Sequence, residues 1–299
     1  MIELSIIIVS FNTKGFIKQC IDAIYNSDLS RRNYEIILVD NASSDGTVEE
    51  VKKHFPQVFI IKNSDNFGFS KANNIGIRKS QGKFLLFLNP DTQVDENTLP
   101  YMISFMNKHS DVGVSTCFVR LPTGKLDDGA HRGFPTPWNS FCYFSGFSRV
   151  FPKSKIFSGY TMGWLDLSTE HEVDSVVGAF MMVRRRAGDE INWWDEDYFF
   201  YGEDIDFCFR LKEKGWKVYF VPKVFVLHHK GISGGIKKHS ERKSTANLQT
   251  KMIATNARFN AMRIFYKKHY EKKYPKILNS FILSVIEFKR KISLSSIQK

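Results

Sequence analysis

Lys83-Phe84-Leu85-Leu86-Phe87-Leu88-Asn89-Pro90-Asp91-Thr92 decides the fold. Its five consecutive apolar residues show no alternation, the pattern of a strand covered on both faces in the middle of a parallel sheet. Asn89-Pro90 ends the run, because proline neither continues a ladder nor lets the residue before it turn helical. Asp91 thus stands just past the C-terminal end of a central strand, where open α/β sheets bind their ligands. A carboxylate there is either a turn residue or a ligand for a divalent cation that takes its other ligands from phosphate and water.

Working outward, Leu4-Ser5-Ile6-Ile7-Ile8-Val9 and Glu35-Ile36-Ile37-Leu38-Val39 are two more short buried strands. Between them Ile17, Cys20, Ile21 and Ile24 recur at helical spacing. The second strand ends in Asp40-Asn41-Ala42-Ser43-Ser44-Asp45-Gly46-Thr47, a polar loop suited to opening a helix. A third strand over residues 58–61 and a helix over 70–80 complete an alternation that predicts a doubly wound sheet with right-handed crossovers. A helix over 100–109 and a strand over 112–117 extend it. Residues 120–170 then lose periodicity and fill with Gly, Pro and aromatics, including His131-Arg132-Gly133 and Trp138. Such a stretch is either functional or a satellite hydrophobic cluster, and it yields no residue role.

No GxGxxG follows the first strand and no GxxxxGK[ST] occurs, which argues against a dinucleotide dehydrogenase and a P-loop NTPase. Asp40, at its own strand end like Asp91, can accept a hydrogen bond from a pyrimidine imide or from ribose. A strand-like run over 173–185 leads to Trp194-Asp195-Glu196-Asp197-Tyr198-Phe199-Phe200-Tyr201-Gly202-Glu203-Asp204-Ile205-Asp206. Acids in a first helical turn suit the helix dipole, yet a cap needs one carboxylate, not six. Glu203 and Asp204, opening a helix with Ile205, Cys208 and Phe209 on its buried face, are also placed for general base work. Two strands, over 218–221 and 224–227, end in His228-His229, either structural or metal-binding.

The chain has 299 residues, 42% hydrophobic and 14% aromatic, enough for a sizeable α/β core. Its four cysteines have no CxxC spacing and read as buried thiols in a reducing compartment, not zinc ligands. Met1-Ile2-Glu3 runs straight into a strand, so no signal peptide is expected. No apolar run reaches the roughly 18 residues of a membrane span. Of the net charge of +12, the segment from Ile236 to Lys299 supplies sixteen Lys/Arg against three acids. The rest holds 27 basic and 28 acidic side chains, so the body is nearly neutral. That balance argues against a nucleic-acid-binding body and for a cationic tail that meets an anionic partner. Two tail helices are expected, the second beginning at Pro275. Its Leu278, Phe281, Ile282, Val285, Ile286 and Phe288 face, with Lys289-Arg290-Lys291 beyond, suits either an anionic membrane surface or packing on the body.

Taken in order, Ser10-Phe11-Asn12, Val39-Asp40-Asn41-Ala42-Ser43, Asn66-Phe67-Gly68-Phe69 with Ala72-Asn73-Asn74-Ile75-Gly76, Leu88-Asn89-Pro90-Asp91, Gly178-Ala179-Phe180, Tyr201-Gly202-Glu203-Asp204-Ile205-Asp206, and His228 with Gly231 and Ser233 form one ordered set. Over residues 4–235 the chain resembles the inverting nucleotide-sugar glycosyltransferases of family 2, with the GT-A fold, and most the bacterial rhamnosyltransferase-type members. The resemblance implies a Rossmann-like, mostly parallel α/β sheet with helices on both faces over residues 1–240, and a basic amphipathic helical appendage over 241–299. It implies Ser10, Asn12, Asp40, Asn66, Phe69, Asn74 and Asn89 at the donor, and Asp91 with His228, or failing that His229, at Mg²⁺ or Mn²⁺. Asp204 would be the base and Glu203 its neighbour on the acceptor side. Asn89 stands where many members carry the first acid of a DxD-type pair, leaving one protein carboxylate for the ion. The implied donor is dTDP-rhamnose, with a UDP-sugar as alternative. The implied acceptor is a cell-surface polysaccharide or lipid-linked glycan, at a cytoplasmic or peripheral inner-membrane location. A nucleotidyltransferase would need a glycine-rich loop after the first strand. An anionic-polymer-binding module would leave Asp40, Asp91 and Asp204 unexplained.

Overall fold

A computed structural model describes residues 2–29, 33–229 and 248–297. β1 (Leu4–Ser10), β2 (Tyr34–Asp40), β3 (Phe59–Lys62) and β4 (Phe84–Leu88) form a parallel block in the spatial order β3-β2-β1-β4. β8 (Phe180–Arg184) joins antiparallel to β4, followed by β6 (Val112–Arg120), β9 (Lys217–His228) and β5 (Thr92–Val94), while β7 (His171–Glu172) also pairs with β9. The predicted α/β sheet is therefore present, parallel in its first half and mixed in its second.

All five residues of β4 are buried because the strand feeds two cores. Phe84, Leu86 and Leu88 point into one with α1 (Lys14–Tyr25), α2 (Thr47–His54) and α4 (Thr98–Lys108). Leu85 and Phe87 point into the other with α3 (Gly68–Ile77), α7 (Arg185–Glu190) and α8 (Glu203–Glu213). Burying each such side chain contributes about 1.5–3 kcal/mol, so an unbroken apolar run holds both layers on one strand. All four cysteines are buried and unpaired by disulfide, and burial pushes the Cys20 and Cys208 thiols up to about 12.

Several local expectations change. The strands expected over 218–221 and 224–227 are one strand, β9, in which a register shift opposite Cys117 and Phe118 absorbs Pro222. The run over 173–185 is strand only at its end. α3 starts at Gly68, before the expected Ser70. Gly68 has φ +79°, and a Cβ there would lie 2.4 Å from the Phe199 carbonyl oxygen, so the turn requires glycine. On α8 the buried apolar residues are Phe207, Cys208, Phe209 and Leu211, with Ile205 only half-buried. Asp206 is fully buried and bonded to Arg210 and His269, 2.7 Å from each.

The two tail helices are α9 (Leu248–His269) and α10 (Lys276–Ile297). α9 lies on the body: Phe265 and Tyr270 pack on Phe209, and Lys268 pairs with Asp195 and Asp197. α10 packs on α9, with Tyr266 donating to the Asn279 side chain at 2.6 Å. Among the described residues no helix is long and apolar enough to cross a membrane. The boundary expected at residue 240, and the motif residues Gly231 and Ser233, lie outside the described residues.

Candidate active site

The loops after β1, β2 and β4 emerge at the same edge of the sheet, because these strands are parallel and in register. At the first two ends Ser10 donates its hydroxyl to Asp40 Oδ1 at 2.8 Å, and the Ser43 amide donates to Asp40 Oδ2 at 2.9 Å. Asn12, in the left-handed region at φ 54°, accepts from the Ser44 amide. Asp40 is thereby fixed at the mouth of β1 and β2 with lone pairs on both oxygens still uncommitted by these bonds.

Beyond β4 the chain turns through Asn89-Pro90-Asp91 into β5, whose pairing with β9 sets Thr92 opposite His228. This brings His228 Nε2 to 3.4 Å from Asp91 Oδ1, while His228 Nδ1 lies 3.1 Å from Asp127 Oδ2. All three side chains are nearly or wholly out of solvent. Burial works against the imidazolium, but Asp91 and Asp127 more than offset it, and the His228 pKa rises to about 9. The donor set fits a divalent ion: one carboxylate oxygen and, after loss of the Nε2 proton, one imidazole nitrogen, with Nδ1–H held by a carboxylate behind it. His229 donates its amide to the Asp91 carbonyl, and its ring lies 5.5 Å from that of Phe16.

Asp204 enters from α8. Tyr201 at φ 72° and Gly202 at φ 81° turn the chain sharply so that Glu203 and Asp204 form the first turn of the helix. A bulky residue in the left-handed region costs about 1–2 kcal/mol, which the surrounding packing must outweigh. Asp204 Oδ2 accepts a charge-assisted bond from Arg132 at 2.6 Å and a long one from the Gly178 amide at 3.4 Å, and Oδ1 accepts from the Ile205 amide at 2.8 Å. Arg132 is itself aimed by Ser175, which accepts from its Nε at 3.0 Å. Burial works against the Arg132 charge, but Asp204 more than compensates and keeps it protonated.

Asp91 and Asp204 meet through two consecutive residues. Gly178 donates to Asp204, and the carbonyl of Ala179, the next residue, accepts from the Asn89 amide at 3.0 Å. The short segment Asp127–Arg132 closes the ring, with Asp127 on His228 and Arg132 on Asp204. Asp127 and Arg132 were not singled out from the sequence. Their only signals were an Asp-Asp-Gly turn and a lone arginine in an aromatic stretch, neither of which names a partner 72 or more residues away.

Other residues expected at the donor, Asn66, Phe69 and Asn74, are half-buried and also make contacts within the protein. Asn66 Oδ1 accepts from the Gly68 amide and the Asn41 side chain. Asn74 clasps the backbone of Trp194, donating to its carbonyl at 2.9 Å and accepting from its amide at 3.2 Å. The Phe69 ring packs edge-on against Trp194 and beneath Gly178. A hollow of about 780 Å³ at the opposite edge, lined by Lys83, Arg184, Arg185 and Trp216, is a structural feature: both arginines are tied to backbone carbonyls.

Glu203 is buried with Oε2 lacking a hydrogen-bond partner among the described residues. Burial first, and the adjacent Asp204 charge second, push its carboxyl up to about 8. The folded protein therefore keeps this proton at pH values where the unfolded chain has lost it, so stability falls as pH rises from about 4.5 toward 8. Glu203→Gln, which mimics the protonated acid, is expected to remove that slope. Thermal melts of both proteins across this window check it; parallel curves would show that Glu203 is ionised in the fold.

The family described as Glycosyl transferase family 2 matches residues 5–186. Among curated proteins the chain is 28% identical to rhamnosyltransferase WbbL of Escherichia coli K12 over 233 residues, covering 75% of this chain and 82% of that one. It is 27% identical to the N-acetylglucosaminyl-diphospho-decaprenol L-rhamnosyltransferase of Mycobacterium tuberculosis over 217 residues, covering 69% and 70%. Among solved structures it resembles the mannosyltransferase PcManGT of Pyrobaculum calidifontis in complex with GDP-Man and Mn²⁺, with TM-score 0.60 and 16% identity over 99% of this chain and 73% of that one.

Proposed function

The chain belongs to glycosyl transferase family 2, a transferase of sugar from a nucleotide donor, and from that premise we propose an inverting single displacement with a divalent ion, dTDP-rhamnose as donor and a lipid-linked glycan as acceptor. One observation carries the mechanism: Gly178 donates to Asp204 while the next residue, Ala179, accepts from the Asn89 amide at the Asp91 turn, which supports a base and a cation ligand acting at one site. Asp204, held by Arg132 and the Ile205 amide, accepts the proton of the acceptor hydroxyl as that oxygen attacks the anomeric carbon. Attack opposite the leaving diphosphate, with no protein nucleophile interposed, inverts the centre. Asp91 and His228 would hold the ion, with Asp127 fixing the imidazole, and bound there it would supply positive charge to offset that developing on the nucleoside diphosphate. Asp40, braced by Ser10 and Ser43, accepts from the base or ribose.

The relatives' names support rhamnose and a diphospholipid-linked acceptor, and the Mn²⁺ complex of the mannosyltransferase supports the ion. A peripheral position at the inner face of the plasma membrane follows for such an acceptor. The test offers purified protein dTDP-rhamnose, UDP-sugars and GDP-sugars with a polyprenyl-diphosphate-linked sugar and Mg²⁺ or Mn²⁺. Nucleoside diphosphate release is followed, and the product's anomeric configuration is read by NMR. Turnover with dTDP-rhamnose and an inverted product is expected. Retained configuration would refute single displacement, and turnover with a UDP-sugar alone would replace the donor.

A further inference from the structure

α10 has two apolar faces, and the fold uses one. Asn279 bonds to Tyr266, while Ile282 and Leu283 pack toward the cluster that joins α9 to the body. Ile277, Phe281, Val285, Phe288 and Ile292 are all exposed, Phe281 and Phe288 by 65% and 64%. At 3.6 residues per turn these five fall within an arc of about 80°. Lys291 and Lys289 stand about 40° beyond either side of that arc. The helix's single acid, Glu287, is neutralised by Arg290 at 2.7 Å.

Lys289 also joins this face to a second apolar surface. Its ammonium lies 4.3 Å from the ring centroid of Phe144 on α5 (Pro137–Ser145). α5 and α6 (Phe147–Val150) carry an exposed aromatic ridge of Trp138, Phe141, Phe144, Phe147 and Phe151. Trp138 meets Phe141 at 5.7 Å and Phe141 meets Phe147 at 6.0 Å, so these three rings run together, while Phe144 packs on the neighbouring Tyr143. Between Asp128 and Asp166 the sequence has no acidic residue, while Arg149, Lys153 and Lys155 are all exposed there. Large contiguous apolar surface on a folded chain marks an interaction site. Rings and aliphatic side chains bordered by lysine and arginine, with acids excluded, match the boundary between acyl chains and anionic headgroups.

We propose that the α5–α6 ridge and the outer face of α10 form one docking surface for an anionic lipid bilayer, with the rings seated at headgroup depth. The surface adjoins the Arg132 end of the site, since Gly133 donates its amide to the Tyr160 carbonyl and Tyr160 packs on Tyr143 of α5. Docking therefore turns the Asp204 side of the cleft toward the membrane. Its use for a lipid-linked acceptor rests on the proposed function; bilayer binding itself does not.

Flotation of the full chain tests it, with vesicles of phosphatidylglycerol and phosphatidylcholine in equal parts against phosphatidylcholine alone. The chain floats with the anionic vesicles only, and added salt weakens the association. Phe281→Ser with Phe288→Ser abolishes flotation, and Lys289→Ala with Lys291→Ala weakens partitioning about fivefold for each lysine removed. The Phe pair leaves the thermal melt unchanged, because both rings stand in solvent, whereas the Lys pair lowers it slightly through loss of the Lys289 contact with Phe144; neither pair shifts turnover on a water-soluble acceptor. Failure of the wild type to float overturns the proposal, as does flotation of the double-Phe variant at wild-type level. A wild-type dimer that the Phe pair makes monomeric, with lipid binding unchanged, also overturns it in favour of self-association. Loss of turnover with flotation intact would instead count against the transferase reading alone.

Discussion

Replacing Asp204 by asparagine lowers kcat about 10³-fold while donor binding persists, the size expected when a positioned general base is removed. Asparagine keeps the shape and can still accept from the Ile205 amide, but it cannot take the acceptor proton. The substitution also strips Arg132 of its 2.6 Å partner. Breaking one side of a buried ion pair costs about 3–5 kcal/mol, so the variant is expected to melt earlier. Donor titration on the folded variant separates that loss from the chemical one. Arg132→Gln with Asp204→Asn removes the stranded charge, and restores the melt without restoring turnover. Near wild-type kcat in either variant would remove Asp204 from the role of base.

Asp91→Ala is expected to abolish binding of Mn²⁺, followed by electron paramagnetic resonance of the free ion, and to lower kcat about 10²- to 10³-fold. The physical reason is the small donor set. With Asn89 in place of a second acid, Asp91 is, among the described residues, the carboxylate in direct reach of His228 Nε2. Removing it leaves His228 paired through Nδ1 with Asp127, on the ring edge opposite Nε2. The same experiment on wild-type protein with EDTA has a fixed outcome under this reading: activity falls and Mn²⁺ restores it. Full activity in EDTA, with no Mn²⁺ bound at all, would end the metal role of Asp91 and leave it as a turn residue.

The parts of this site that could be read in advance share a physical property. β1, β2 and β4 are covered on both faces, so their sequences are unbroken apolar runs, and the residue that ends each run must be polar and must emerge at the sheet edge. Asp40 and Asp91 were legible for that reason. Asp204 was legible because six acids near a helix start exceed what a dipole and a cap require. Asn66 and Asn74 looked equivalent to them as sequence, yet they satisfy loop and backbone groups. A side-chain amide donates and accepts, so its role depends on partners that local sequence does not name.

The tail marks the same boundary. Helical spacing foretold two amphipathic helices, but both carry apolar residues on more than one side, and periodicity cannot say which side meets protein. α9 and the turn after it bring Phe265 and Tyr270 onto α8, whereas α10 keeps Phe281 and Phe288 in solvent.

By itself the sequence determined which strands are buried on both faces and that Asp40, Asp91 and Asp204 stand just past strand ends or at a helix start, because these follow from which side chains water rejects along a local stretch of chain. Only the tertiary structure decided that Asp127 pairs with His228 and Arg132 with Asp204. Their partners, His228 and Asp204, lie 101 and 72 residues away, and the attraction between opposite charges acts through space, not along the chain.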